Sequence, residues 1–125
     1  MSPPDPPAMA GPRLKLRIVF SEAAMLGYGK ADLLETIQAT GSISAAGRAM
    51  DMSYRRAWGL VAEANKAFRT PLVELSRGGE GGGGARLTKE GEAVLASFRA
   101  LERLLATEGA PYLAAIRDRA AQGDG

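Results

Sequence analysis

The chain has 125 residues, 46% of them hydrophobic, with neither cysteine nor histidine. That length supports one modest core without disulfides, and the two missing residue types exclude imidazole acid–base work, thiol nucleophiles and ordinary zinc sites. A formal net charge of +2 is too small to identify a polyanionic partner, so the placement of the charges matters more than their sum.

Residues 1–13 begin Met1-Ser-Pro-Pro-Asp-Pro-Pro and predict a disordered, Pro-rich tail. Nothing in them resembles a signal peptide, and no apolar run approaches a bilayer span, so a cytoplasmic protein without a membrane partner is expected. Leu14 to Phe20 alternates in part, with Lys15 and Arg17 between apolar neighbours, which predicts a strand able to join a later hairpin. A loop through Gly27 and Gly29 follows. Ala31 to Thr40 then predicts a helix with Leu33, Leu34 and Ile37 inward and Gly41 as its C-cap.

Ile43, Ala46 and Ala49 recur at a spacing of three and give the next helix a narrow apolar face for close crossing. Asp51 and Met52 break the run, and Ser53 stands where an N-cap belongs, so a further helix starts at Tyr54 and extends to about residue 69. Its inward stripe is Ala57, Val61, Ala64 and Phe68. The helical increment then puts Arg55, Gly59, Ala62 and Lys66 outward, with Arg56 on the flank. Small residues between cations suit entry into a groove, with the cations answering phosphates or guanine edges. The same features also occur on a merely wet surface. Trp58 falls at the edge of the stripe and is expected to pack on a hairpin. Tyr54, at the helix start, has a hydroxyl that either meets a phosphate or stays in solvent.

Leu72, Val73 and Leu75, between Pro71 and Ser76, predict a strand, and Ala85 to Leu87 its return partner. The glycines between them, including Gly78 and Gly79, form either a loose connector or a hairpin tip whose backbone can approach another molecule. Arg77 and Arg86 bracket the tip, as in a DNA-contacting wing. A nucleotide-binding loop is excluded because Ala85-Arg86 ends the run where Gly-Lys and a hydroxyl residue are needed.

Thr88 caps a long helix to about Thr107, with Glu90 and Glu92 at its positive end. Val94, Phe98, Leu101 and Leu105, widened by Leu95 and Leu104, make a seam for another helix. Gly109, Ala110 and Pro111 break it, and a last helix carries Tyr112, Leu113 and Ile116. Part of this surface must cover the winged core; at the projecting far end, with Leu104 and Leu105, either a second copy of the chain covers it or the last helix folds back on its own chain. Residues 89–121 are thus assigned to C-terminal, dimerising helices and residues 122–125 to a disordered tail.

Glu35, Glu63 and Glu74 occur singly, without the paired spacing of a hydrolase or metal site, and Ser53 has no base to activate it. No enzyme, metal or cofactor is expected. Cations cluster from Arg48 through Arg55, Arg56, Lys66, Arg69, Arg77 and Arg86 to Lys89, whereas Glu90, Glu92, Glu102 and Glu108 follow them.

Gly41 to Ser44, Ser53 to Trp58 and Gly78 to Thr88 together form an ordered set, Gly-Ser-Ile-Ser, Ser-Tyr-basic then Ala-Trp, and a glycine wing ending in Leu-Thr. In this set the region resembles the N-terminal DNA-binding domain of the ModE family of bacterial molybdate-responsive regulators, and more distantly the winged helix of LysR-type regulators. The resemblance spans Leu14 to about Leu105. It implies a mainly helical winged helix-turn-helix over residues 14–88, a small β-hairpin wing, a long C-terminal dimerisation helix, and a homodimer on double-stranded DNA. Ser42, Ser44, Ser53, Tyr54, Arg55, Arg56, Gly59, Lys66, Arg77, Gly78, Gly79 and Arg86 are the implied DNA contacts, with Ser42 and Ser44 holding phosphate. Glu80 departs from the basic residue common at the wing tip. Full-length relatives continue into molybdate-binding domains; the chain ends at Gly125, so sensing of molybdate or another oxyanion is not expected. A winged helix that docks a protein instead of DNA is the alternative.

Overall fold

The computed structural model describes residues 13–79 and 82–121; along 77–79 and 82–83 it gives the strand path alone. The Pro-rich tail to Pro12, the tail from Gln122, and Glu80 at the wing tip lie outside the described residues.

In chain order the elements are β1 (Arg17–Ser21), β2 (Ala24–Gly27), α1 (Tyr28–Thr40), α2 (Ile43–Ala49), α3 (Tyr54–Ala67), β3 (Val73–Gly79), β4 (Gly82–Leu87), α4 (Lys89–Glu108) and α5 (Ala110–Arg119). Helices α1 to α3 pack around one core with the β3–β4 hairpin after them, which is a winged helix-turn-helix.

The first strand corrects the sequence reading, because β1 pairs antiparallel with β2 and not with the wing. A tight turn, in which the Ala23 amide donates to Ser21 Oγ at 3.3 Å, returns the chain on itself and satisfies β1 locally. Consequently the segment read as a loop is partly strand, and α1 starts at Tyr28, ahead of the expected Ala31. Gly41 ends α1 with φ 78°, a left-handed cap that an L side chain would strain, and its amide donates to Ile37 O at 2.7 Å.

Phe98, Leu33, Leu34, Ile37 and Leu72 are the largest fully buried side chains. Ile43 and Ala46 of α2 are buried as expected, but Ala49 is exposed and Gly47 takes its place against Ala57. The reason is that α2 has only seven residues, so its last turn has already left the core when Ala49 is reached. Asp51, at φ 57°, makes the turn between the helices. On α3, Ala57, Val61 and Ala64 are buried, while Phe68 sits half-buried at the C-cap, edge-on to Phe20 at 5.5 Å.

The C-terminal reading also needs correcting. Phe98 is only 2% exposed and belongs to the monomer's own core, with Leu95 beside it and Val94 packed against it. It therefore has no surface to give a partner chain. Gly91, Leu95 and Phe98 are the buried face of α4, and the apolar residues beyond them run off the end of the domain. Leu101, Leu104, Tyr112 and Ile116 are exposed, and Leu105 and Leu113 are half-buried along a groove between α4 and α5. The break between these helices follows from Pro111, which has no amide for the carbonyl one turn back.

Asn65 joins α3 to the wing. Its Oδ1 accepts from the amides of Leu72 and Val73 at 2.8 and 3.1 Å, and its Nδ2 donates to Val73 O at 3.3 Å. These bonds satisfy backbone groups where the chain reverses beside the core. Asn65→Ala is expected to lower the unfolding free energy by about 2 kcal/mol, since two amides lose their acceptor. A urea titration with a reduced midpoint and unchanged slope is the measurement.

Candidate nucleic-acid interface

The candidate interface is built on the start of α3. Ser53 Oγ accepts from the Arg56 amide at 3.0 Å, so the N-cap predicted from the sequence is formed. This cap fixes the first turn and with it the backbone positions of Tyr54, Arg55 and Arg56. All three side chains are exposed, as are Gly59, Ala62 and Lys66 one to three turns on. Nothing lies within 4 Å of where a Cβ on Gly59 would stand, so the middle of the face is open.

Arg55, Arg56 and Lys66 take part in none of the ion pairs among the described residues. Arg86, Lys30 and Arg48, by contrast, are engaged. Arg86 Nε lies 2.7 Å from Glu74 Oε1 across the hairpin, where Glu74 and Arg86 are register partners. Lys30 Nζ lies 3.0 Å from Glu63 Oε1. Arg48 donates to Ser44 Oγ at 2.9 Å. Arg77, Gly78 and Gly79 lie along β3, and their surroundings fall outside the described residues.

Ser42 caps α2, with its Oγ accepting from the Ala45 amide at 2.9 Å. Its oxygen and that of Ser44 thus both have partners within the domain. Tyr54 stands edge-on to Trp58 with ring centroids 5.9 Å apart. Trp58 is half-buried against the core and its Nε1 is shielded, with no hydrogen-bond acceptor among the described residues. The described aromatic contact of Trp58 is therefore on its own helix.

The wing is tied to the helix pair by its backbone. The Ala85 amide donates to the carbonyl of Gly41 at 2.8 Å, next to the residue that caps α2. Thr88 closes the other side: its amide donates to Leu72 O at 2.9 Å and its hydroxyl to Pro71 O at 2.7 Å, while Oγ1 accepts from the Gly91 amide at 3.0 Å.

Sequence reasoning missed Arg99, whose guanidinium reaches Asp32 at 2.8 Å, Glu35 at 2.9 Å and Glu102 at 2.9 Å. This three-way clamp holds α4 on α1 and so sets the direction of the C-terminal arm relative to the interface. Partial burial works against its charge, but the hydrogen bonds to Asp32, Glu102 and Glu35 outweigh burial and hold the guanidinium above its ordinary value. Arg99 is one of two arginines on α4, with Arg103, and its partners Asp32 and Glu35 lie on an earlier helix, so no local spacing singles it out.

A capped helix whose exposed Arg55, Arg56 and Lys66 pair with no acid among the described residues, placed beside a hairpin, is the arrangement of a winged helix-turn-helix domain. Residues 30–92, just over half the chain, match the family described as bacterial regulatory helix-turn-helix proteins of the lysR family. The chain belongs to that family, and its winged-helix domain is of the ModE kind. It is 42% identical over 83 residues to the molybdenum-pterin-binding protein MopA of Rhodobacter capsulatus, covering 66% of this chain and 31% of that protein. It is 35% identical over 95 residues to the transcriptional regulator ModE of Haemophilus influenzae, covering 76% and 37%. Against the DNA-binding transcriptional dual regulator ModE of Escherichia coli strain K12 the identity is 38% over 72 residues, covering 58% and 28%. The chain spans about a third of the length of these curated relatives. Among the described residues no helix is long and apolar enough to cross a membrane.

Proposed function

We propose that this chain is a cytoplasmic, DNA-binding transcriptional regulator of the ModE type that binds duplex DNA as a homodimer. The first turn of α3 enters the major groove, where Arg55 and Arg56 meet guanine edges or phosphates. Lys66 and the wing from Arg77 to Arg86 lie along the flanking backbone. The observation that carries this reading is the outward face of α3, where exposed cations that form no ion pair among the described residues flank Gly59 and Ala62. A protein-docking winged helix would need apolar side chains on that face.

Binding isotherms on the protein's own upstream region and on a random duplex, each at several salt concentrations, test the reading. Tighter binding to the first, with affinity falling as salt rises on both, is expected. Equal and salt-insensitive affinities would reject it.

The homodimer rests on Leu101, Leu104, Leu105, Tyr112, Leu113 and Ile116, exposed or half-buried on the arm formed by α4 and α5, with Tyr112 74% exposed. Two-fold operators suit such a pairing. The double variant Leu104→Glu, Ile116→Glu is expected to sediment as a monomer that keeps its helical circular dichroism and melts at a temperature independent of protein concentration. A wild-type chain that already sediments as a monomer would remove the dimer from the proposal.

A further inference from the structure

The outward side of α3 carries one carboxylate, Glu63, seven residues beyond Arg56 and therefore nearly in line with it about two turns along the helix. Together Arg55, Arg56, Gly59 and Glu63 line a shallow cleft on this side. An acid facing a polyanion loses affinity unless something neutralises it and something on the nucleic acid can donate to it. The first condition is met within the domain. Lys30 reaches from α1 to Glu63 Oε1 at 3.0 Å and also donates to Met25 O at 3.3 Å, so its ammonium is fixed at two points. Lys30 is 13% exposed in its side chain and Glu63 is 63% exposed, so the cation sits behind the carboxylate and the carboxylate faces out. Its second oxygen has no hydrogen-bond partner among the described residues.

Phosphates and guanine present only acceptors to such an oxygen in the major groove. The donors there are the amino groups of cytosine and adenine. Adenine sets its N7 lone pair beside that amino group, which repels a carboxylate, whereas cytosine sets a C–H there. We propose that Glu63 is a specificity-determining residue that accepts a hydrogen bond from cytosine N4 in each half-site, and that Lys30 is a positioning residue that holds it there. This rests on the reading of α3 as the groove-entering helix.

Selection of binding sites from a randomised duplex pool, with sequencing of the bound fraction, tests it for wild type, Glu63→Gln and Glu63→Ala. Wild type is expected to select a motif with a cytosine preferred by about tenfold at one position of each half-site. Glu63→Ala should lose that preference and keep the rest of the motif. Glu63→Gln, which keeps the shape if the alanine variant melts early, should shift the position towards adenine. A motif that is unchanged in both variants would overturn the proposal while leaving groove reading intact. So would a uniform gain in affinity for every sequence in Glu63→Ala, since the carboxylate would then only repel the backbone. A wild type that selects no motif would overturn this proposal and the groove reading together.

Discussion

Arg55→Ala is expected to bring this protein's affinity for its own site close to its affinity for random duplex. Arg55 sits in the first turn of α3, behind the Ser53 cap, where a recognition helix comes nearest to base edges. A bidentate arginine–guanine contact discriminates by about 1–3 kcal/mol, and a dimer loses it in both half-sites, about 2–6 kcal/mol in all. The side chain is exposed and outside every ion pair among the described residues, so the melting temperature should not change. Lys66→Ala, three turns further along the same face, is the contrast. It should weaken specific and random duplexes alike and reduce the salt slope by about one per protomer. Isotherms at several salt concentrations separate the two effects, and discrimination that survives in Arg55→Ala would show that the bases are read elsewhere.

The second large effect is on the fold. Gly91→Ala would drive a Cβ into the carbonyl oxygen of Leu72, well inside van der Waals contact. That oxygen cannot retreat easily, because it accepts from the Thr88 amide at 2.9 Å and its own residue's amide is held by Asn65 at 2.8 Å. Leu72 is also fully buried. The added methyl must therefore push α4 off the wing's base, which costs about 3 kcal/mol in overpacking and disturbed hydrogen bonds. A chemical denaturation curve reads the loss directly. Wild-type stability in the alanine variant would mean that the contact between α4 and Leu72 is looser than described.

The face of α3 was legible because helical periodicity assigns inside and outside from spacing alone, and Ser53 fixed where counting starts. The wing was legible from glycine flanked by short apolar runs. Strand β2 was not, since Ala24 to Gly27 shows no alternation and its partner is declared only by the turn before it. Phe98 was misread for a different reason. A seam of apolar residues announces that a helix will be covered, but not whether its own domain or another chain does the covering. Arg99 and Lys30 depend on carboxylates that folding brings near: Arg99 meets Glu35 and Asp32 across 64 and 67 residues of sequence. No local pattern carries that information.

The bond from the Ala85 amide to Gly41 O has a mechanical consequence. One peptide joins the end of α1, the base of the hairpin and the residue that caps α2, so that base cannot swing without dragging the tandem helices along. Such a tool is a stiff jaw, and any misfit against a double helix has to be absorbed by the duplex. Operators with pliant pyrimidine–purine steps between hairpin and helix footprints should then be favoured at base pairs that no side chain touches.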